Sequence, residues 1–411
     1  MTAEKNEYLR TVSETIRREV CADDRLSSLP DSEFEIYVWK RLNEEKYCRE
    51  WTIEEKIEAS GRIFSGMRGL DVLDGIMSDR SVTEIMVNGP DCIFAEREGR
   101  VFRLAAAFES EKKLEDVIQR IVGPAGREVN RANPIVDTRL PDGSRVSVVL
   151  PPVSLNGPQM TIRRFPEKPM TFPRLIELGT VTEEIADSLR LLVSAGYNVF
   201  ISGGTGSGKT SFLNALSDFI PPNERIVTIE DSAELKLSRL ENVVRLETRN
   251  PNSAGVGGIG IRTLIRASLR MRPERIIVGE VRGPEALDML QAMNTGHDGS
   301  ISTGHANSSS DMLTRLETMV LEASPGLPLD AVRSQIASAI DVIVHLSRMR
   351  DGSRRMIEMS EIDGVEDGKI KLNVLYRYVG DEEGGEGRFE RLPNPLHSTL
   401  KLERKGIKER F

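Results

Sequence analysis

A glycine-rich stretch near the middle of the chain has the residue types and the spacing of a phosphate-binding loop. It reads Gly203-Gly204-Thr205-Gly206-Ser207-Gly208-Lys209-Thr210 and fits the pattern G-x-x-x-x-G-K-[ST]. An apolar run at 198–201 precedes it, and an amphipathic helix is expected to follow it. In that context backbone N–H groups and the helix N-terminus point at phosphate oxygens. We predict that these eight residues bind a nucleotide, that Lys209 contacts its β- and γ-phosphates, and that Thr210 ligates Mg²⁺.

Acidic side chains follow two of the apolar runs that we expect to be strands. Glu280 comes after Ile276-Ile277-Val278-Gly279, where a carboxylate would hold Mg²⁺ through water or polarise the attacking water. The usual acid at this place is aspartate. Residues 228–235 add three carboxylates, of which Glu234 could accept a proton from the attacking water. These acids could instead cap a helix N-terminus, and the sequence leaves both interpretations open.

Two of the four histidines lie close together in a stretch rich in glycine and threonine, residues 295–307. We predict that His297 and His305 reach toward the γ-phosphate and distinguish a triphosphate from a diphosphate. Zinc binding is the alternative for such a pair. No cysteine lies nearby, however, and the spacing of the two histidines matches no metal motif.

Arginines could neutralise the negative charge that a phosphoryl transition state gathers. Arg139 and Arg145 flank an Asp-Gly turn in an earlier part of the chain. Three more arginines recur at helical spacing, at 262, 266 and 270, within a basic stretch that runs from 239 to 275. Salt bridges to local acids are the alternative explanation for any single one of these arginines.

The composition of the 411-residue chain indicates a globular protein of about two or three domains. Charged residues make up 29% of the chain, and its apolar runs fall short of the ~18 residues of a spanning helix. The first residues lack the apolar core of a signal peptide, and the three cysteines form no pattern. We therefore expect a cytosolic protein without a membrane span. A net charge of −8 and 5% aromatic residues argue against nucleic-acid binding.

Changes in composition divide the chain into five predicted regions. Residues 1–68 are expected to be a helical N-terminal region, and 69–165 a compact α+β domain with hairpins at Glu98-Gly99 and Pro141-Asp142-Gly143. Three prolines make 166–180 a stiff linker. Residues 181–380 form the phosphate-loop domain, and the glycine- and charge-rich residues 381–411 are expected to be a mobile tail.

The phosphate-loop domain is predicted to have an α/β fold. Short apolar strands alternate with helices, which favours a parallel-rich sheet covered on both faces. The expected strands are 199–201, 225–230, 243–246, 275–280, 300–303 and 341–345. A charged hairpin at 355–379 should follow them, turning through Asp363-Gly364 and Asp367-Gly368.

The order of these motifs resembles that of the type II/type IV secretion and pilus-assembly ATPase family. Three phrases are similar to its acidic box, atypical Walker B motif and histidine box: Ile229-Glu230-Asp231, Val278-Gly279-Glu280-Val281-Arg282-Gly283 and Thr303-Gly304-His305-Ala306-Asn307. The flanking sequence resembles the CpaF-like branch, which drives tight-adherence (Flp-type) pili. That likeness lies in residues 137–146, 161–165 and 269–275.

The resemblance implies a hexameric ring in which each subunit carries a RecA-like ATPase domain behind a smaller N-terminal domain. ATP and Mg²⁺ would lie between the two domains. The resemblance implies that Glu234 activates water, that Glu280 is the Walker B acid, and that His297 and His305 form the histidine box. Arg139 and Arg145 match N-terminal-domain positions that reach the nucleotide when the domains close. The linker would be the hinge.

The sequence therefore favours a cytosolic ATPase motor that powers pilus assembly or secretion. ATP-driven domain closure would act on an inner-membrane platform, so that the protein would lie at the inner face of the cytoplasmic membrane. A conjugation-like type IV secretion ATPase is one alternative, and a nucleotide-gated scaffold with little turnover is another. A nucleic-acid translocase stays open through the arginines of 239–275, and a small-molecule kinase lacks an acceptor motif.

Overall fold

A computed structural model describes residues 3–97, 99–164, 170–249, 251, 256–380 and 387–407. The chain folds into two compact units, Met1–Pro166 and Glu167–Phe411. Several residues of the predictions lie outside the described parts of the chain: Glu98, Phe165, the linker prolines Pro166 and Pro169, residues 381–386 and residues 408–411.

The first unit begins with a helical layer. Its helices are α1 (Ala3–Ala22), α2 (Asp24–Ser27), α3 (Asp31–Glu44), α4 (Ile53–Arg68) and α5 (Val72–Ser78). Helix α4 starts at a capping box, in which the Thr52 side chain accepts from the backbone of Glu55 and the Glu55 carboxylate accepts from the backbone of Thr52. The apolar faces of α1, α3 and α4 share a core that includes Ile16, Phe34 and Ile63.

A six-stranded antiparallel sheet completes the first unit. Its strands are β1 (Val82–Asn88), β2 (Ile93–Arg97), β3 (Arg100–Arg103), β4 (Ile135–Arg139), β5 (Arg145–Val149) and β6 (Gln159–Arg163), in the order β3-β2-β1-β6-β5-β4. Helix α6 (Glu111–Val122) shares a core with the sheet, where inward residues alternate with outward ones along β2, β4, β5 and β6. The hairpin at Asp142-Gly143 is confirmed, with φ of 89° at Gly143.

The second unit is a nine-stranded sheet with helices on both faces. Its strands are β7 (Val199–Gly203), β8 (Ile226–Glu230), β9 (Val243–Glu247), β10 (Arg275–Val278), β11 (Ile301–Gly304), β12 (Val342–Arg348), β13 (Arg354–Glu366), β14 (Lys369–Val379) and β15 (Arg388–Arg391). Its helices are α7 (Phe172–Glu177), α8 (Glu183–Ala195), α9 (Lys209–Ser217), α10 (Ile261–Ser268), α11 (Glu285–Met293), α12 (Ser309–Ala323), α13 (Leu329–Ala339) and α14 (Leu400–Arg404).

The strand order in this sheet is β15-β14-β13-β12-β7-β11-β10-β8-β9. The six strands from β12 to β9 are parallel, and β13 to β15 extend the sheet in antiparallel pairs. One face packs on α7, α8, α9 and α14, and the other on α10 to α13. The predicted α/β class is thus confirmed. The carboxyl ends of β7, β8, β10 and β11 meet at one edge of the sheet, where ligands bind in such folds.

The structure differs from the sequence-based expectation at both ends of this unit. Residues expected to be linker form α7, whose Phe172 and Leu175 are buried in the core. Residues 387–407, expected to be part of a mobile tail, pair as β15 with β14 and pack as α14. Buried Leu396 and Leu402 hold this segment in the core, a contribution that its charged composition conceals. In the hairpin, the chain reverses at Asp367-Gly368, whereas Asp363-Gly364 lies at a register shift within β13.

Candidate nucleotide site

The glycine-rich stretch forms a tight loop between β7 and α9, as predicted. Gly203, Gly206 and Gly208 have φ of 155°, 71° and 92°, conformations that residues with a side chain rarely adopt. A Cβ on Gly203 would collide with the backbone carbonyl of Leu346 on β12. The loop ends at the first turn of α9, which places Thr210 beside the positive end of the helix dipole.

The Lys209 side chain is folded back over the loop. Its Nζ donates to the carbonyl oxygens of Gly203 and Gly204, at 2.9 Å each, and lies 3.2 Å from Nδ1 of His305. Only 8% of the residue is exposed. Burial lowers the pKa of Lys209 to about 8, although the nearby Glu280 carboxylate opposes this shift. A buried cation at this place is suited to an anionic ligand.

His305 connects Lys209 to the acid that follows β10. Its Nε2 lies 2.8 Å from Oε1 of Glu280, and Oε2 of the same carboxylate accepts from Arg282 at 2.7 Å. Burial, followed by the charge of Lys209, lowers the pKa of His305, so the neutral imidazole is favoured. The neutral ring can accept from Lys209 at Nδ1, whereas the contact of Nε2 with Oε1 of Glu280 is close but lacks hydrogen-bond geometry.

The acidic segment after β8 is organised by a buried carboxylate. Oε1 of Glu230, a residue only 3% exposed, accepts from the backbone N–H groups of Glu234 and Leu235 at 2.8 and 3.1 Å. Gly279 lies against this side chain, where a Cβ would come within 3.0 Å of the Glu230 Cγ. The cluster is therefore tied together at the carboxyl edge of the sheet, and Glu234 itself is half-exposed.

These residues fit a nucleotide and Mg²⁺. The positive-φ glycines leave room for phosphate oxygens near the backbone, and Lys209 supplies a cation. Hard oxygen ligands, which Mg²⁺ prefers, are available from the Thr210 hydroxyl and the Glu280 carboxylate. Within the described part of the chain, no group of three or more His, Cys, Asp or Glu side chains is arranged to hold a metal ion by itself.

The sheet separates the two predicted histidines. His297 precedes β11 and its Nδ1 lies 3.1 Å from the carbonyl oxygen of Ala292, whereas His305 follows β11. Strand β11 separates them along its length. His297 therefore lies at the amino ends of the parallel strands and His305 at their carboxyl ends. The structure therefore does not bring His297 beside the phosphate loop of its own chain, and a contact of His297 with the γ-phosphate stays a prediction.

The arginines of the basic stretch are largely used within the fold. Nε of Arg262 and Nε of Arg266 lie 2.6 and 2.7 Å from the buried carboxylate of Asp288, and α10 ends before Arg270. Arg275 is 1% exposed and bridges Glu224. Local salt bridges thus account for these side chains, as the alternative interpretation held.

Arg139 and Arg145 lie in the first unit, opposite each other where β4 and β5 meet their turn. Arg163 is the next residue in the same row, paired with Arg145 across β5 and β6. All three are on strand positions that point away from the core, with Arg163 exposed. Their contact with a nucleotide stays a prediction.

Three residues of the site had no role in the sequence-based predictions, although two of them, Glu230 and Arg282, belong to the motifs. Glu230 holds the segment that carries Glu234, and Arg282 bridges Glu280 and Asp231, with 3.7 Å to the latter. A third, Arg354 at the start of β13, donates to the carbonyl of Gly206 at 3.3 Å. Sequence spacing could not indicate Arg354, which is far from the loop along the chain.

In the part of the chain that the structure describes, no helix has both the length and the apolar character needed to cross a bilayer. A putative conjugal transfer protein of Mycobacterium tuberculosis is 35% identical over 316 residues, which is 75% of this chain and 89% of that protein. The type IV secretion system protein PtlH of Bordetella pertussis is 34% identical over 322 residues, 72% and 95% of the respective chains.

Among solved structures, the chain is similar to the pilus retraction motor PilT with bound ADP. The TM-score is 0.51 at 18% identity, covering 82% of this chain and 87% of that one. This likeness confirms the predicted fold, a RecA-like domain preceded by a smaller one. Residues 70–384 match the family described as type II/IV secretion system protein. The chain therefore belongs to the type II/IV secretion system protein family.

Proposed function

We propose that this protein hydrolyses ATP to drive a secretion or pilus machine. The observation that carries the proposal is the position of His305 between the phosphate loop and the acid, with Nδ1 3.2 Å from Nζ of Lys209 and Nε2 2.8 Å from Oε1 of Glu280. A loop that only bound phosphate would not need an acid placed next to its lysine through an intervening histidine. Family membership and the fold of an ADP-binding motor support the same activity.

Within this proposal, Lys209 and Thr210 hold the phosphates and Mg²⁺, and bound Mg²⁺ would offset the negative charge of the phosphates. Glu280 orients ligands of the metal or the attacking water. Glu234 accepts the proton of that water, from a segment fixed by Glu230. Arg139 and Arg145, from the first unit, complete the neutralisation of phosphate charge when nucleotide binds.

We further propose that the active form is a homo-hexamer. Such a ring would work in the cytoplasm at the inner face of the membrane, coupled to membrane proteins of the machine that it drives. The names of the relatives support the coupling to such a machine, because they are conjugal transfer and type IV secretion proteins.

Two machines are compatible with the proposal. The sequence phrases at 137–146 and 269–275 favour the tight-adherence pilus. The relatives that cover most of this chain favour a conjugation-like type IV secretion system instead. Deleting the gene and scoring both surface pili and transfer of protein or DNA would separate the two.

The enzymatic proposal is tested by ATP hydrolysis per subunit, measured against protein concentration for the wild type, Glu234→Gln and Glu280→Gln. Both variants should bind nucleotide within about threefold of the wild type and lose at least about a hundredfold in kcat. Glu366→Gln, on the exposed end of the β13–β14 hairpin, is the matched control. If ATP hydrolysis requires the assembled ring, the activity per subunit should rise with protein concentration.

Negligible turnover by the wild type at all concentrations, with normal nucleotide binding, would contradict the enzymatic proposal and favour a nucleotide-gated scaffold. Full activity of both carboxylate variants would show that the assigned acids are not the ones that act on water.

A further inference from the structure

A buried threonine holds the turn that carries Glu280. Thr303, near the end of β11, is 1% exposed, and its Oγ1 donates to the carbonyl oxygen of Gly279 at 2.8 Å. The backbone carbonyl of Thr303 accepts from the N–H of Val281, also at 2.8 Å. One residue of a neighbouring strand therefore binds the chain immediately before and immediately after Glu280.

These two hydrogen bonds restrict the backbone of Glu280. The carbonyl of Gly279 and the N–H of Val281 belong to the two peptide groups on either side of the Glu280 Cα. Because each peptide group is planar, anchoring both of them limits the φ and ψ angles of Glu280 and so the direction of its Cα–Cβ bond. At the other end of the side chain, Arg282 donates to Oε2 at 2.7 Å.

The hydrogen bond of the Thr303 hydroxyl is not a general property of hydroxyl groups in this sheet. The paired residues of β10 and β11 end one position before Gly279 and Thr303. The hydroxyls of Thr228 on β8 and Ser302 on β11 belong to residues that are buried as deeply, yet neither forms a hydrogen bond within the part of the chain that the structure describes. The bond is thus made where the chain leaves β10 to present Glu280.

We propose that Thr303 is a positioning residue for Glu280, whose carboxylate it aims by holding the backbone on both sides of that acid. The inference rests on the proposed ATP hydrolysis, in which Glu280 orients ligands of the metal or the attacking water. Thr303 needs no contact with the nucleotide, because it acts through the backbone of the acid. Misplacing a catalytic group by about 1 Å can cost about a hundredfold in rate.

The test is a series of substitutions at position 303. Valine has the shape of threonine without the hydroxyl, serine keeps the donor, and cysteine has only a weak one. The variants are Thr303→Val, Thr303→Ser and Thr303→Cys, and the last carries the test if the valine variant does not fold. Thr228→Val is the matched control, because it removes an equally buried hydroxyl that lacks a partner among the described residues.

The readouts are the single-turnover rate of ATP hydrolysis, the Kd of a fluorescent ADP analogue, and hydrogen–deuterium exchange of residues 279–283. We expect Thr303→Val to lower the rate about tenfold and to change the Kd by less than about threefold. Exchange in 279–283 should become faster, since the turn loses one of its anchors. Thr303→Ser should stay within about threefold of the wild-type rate, Thr303→Cys should fall between the two, and Thr228→Val should change the rate less than about twofold.

A double variant separates a positioning role from a general loss of structure. If Thr303 acts through Glu280, adding Thr303→Val to Glu280→Gln should lower the rate by less than about a further twofold, because the carboxylate that Thr303 positions is already gone. A further loss of about tenfold in that background would overturn the inference. So would a wild-type rate in Thr303→Val, or equal losses in the valine and serine variants.

The exchange measurement separates this inference from the proposed function. If the wild type does not hydrolyse ATP, the proposed function fails, while exchange in 279–283 still reports on the turn. Faster exchange in Thr303→Val, together with slow exchange in Thr303→Ser and Thr228→Val, would then support the positioning role. Unchanged exchange in Thr303→Val would overturn it.

Discussion

Nε2 of His305 lies 2.8 Å from Oε1 of Glu280, while Nδ1 of the same ring lies 3.2 Å from Nζ of Lys209. One imidazole thus touches both the cation of the phosphate loop and the acid that follows β10. Because burial and the charge of Lys209 lower the pKa of His305, it acts here as a neutral bridge.

This bridge predicts different outcomes for the two histidines of residues 295–307. His305→Ala should lower kcat for ATP hydrolysis about tenfold to a hundredfold, since Lys209 loses a hydrogen bond and Glu280 a close polar neighbour. His297→Ala should change kcat less than about twofold, because its ring lies at the other edge of the sheet, beside Ala292. Steady-state kinetics of both variants decide the matter. A larger effect at His297 would place that side chain in a site formed with another subunit.

Nucleotide affinity should depend on the protonation of Lys209. The pKa of Lys209 is lowered to about 8, so below pH 8 the amine is charged and attracts phosphate. Above pH 8 the free protein loses this proton, and binding must take one up, so affinity falls by at most about tenfold per pH unit. The measurement is the Kd of a fluorescent ADP analogue from about pH 6.5 to about pH 9.5, a range that brackets the pKa of Lys209.

Lys209→Arg is the control for this profile. The guanidinium stays charged over the whole range, so the variant should show a flat dependence even if it binds more weakly. If the wild-type affinity does not change up to about pH 9.5, which is about one and a half units above the lowered pKa, then Lys209 keeps an ordinary pKa in solution.

Two adjacent glycines of the phosphate loop should differ in their tolerance of a methyl group. Gly203→Ala places a Cβ against the carbonyl of Leu346 at a φ of 155°, and we expect it to lower the free energy of unfolding by about 2–3 kcal/mol and to weaken nucleotide binding. Gly204→Ala meets nothing within 4 Å and should be close to neutral for stability. Thermal or urea unfolding of both variants provides the comparison. Equal stability of the two would argue against the loop conformation described.

The C-terminal segment should contribute to the stability of the second unit. Leu402, which is 4% exposed, packs in the core with α8, and Leu402→Ala should cost about 2–4 kcal/mol. Leu400, in the same helix, is 53% exposed, and its replacement by alanine should cost less than about 0.5 kcal/mol. Urea unfolding of the full chain measures both. Similar values for the two leucines would restore the expectation of a mobile tail.

The buried carboxylate of Glu361 and the half-buried carboxylate of Asp341 explain why that expectation was wrong for 387–407. Glu361 accepts from the backbone N–H groups of His397 and Ser398 at 2.9 and 2.7 Å. Asp341 lies 2.7 Å from Nζ of Lys401. These partners come from β13 and from the residue that precedes β12, so a composition rich in charge and glycine gave no sign of them.

The sequence by itself determined the local chemistry of this protein. The phosphate loop, the strand before it, the helix after it and the acid at Glu280 could all be predicted, because each depends on residues a few positions apart. The alternation of strands and helices predicted the α/β class for the same reason. Motif order was sufficient to indicate the family.

Only the tertiary structure decided which of these residues meet. His297 and His305 are close in sequence, yet β11 lies between them and extends by about 3.3 Å per residue, so they lie at opposite ends of that strand. Arg354 is distant in sequence, yet the order β13-β12-β7-β11 brings it to the phosphate loop. The order of the strands depends on how apolar faces are buried over the whole unit. Because this involves residues far apart in the sequence, the spacing within one motif cannot predict it.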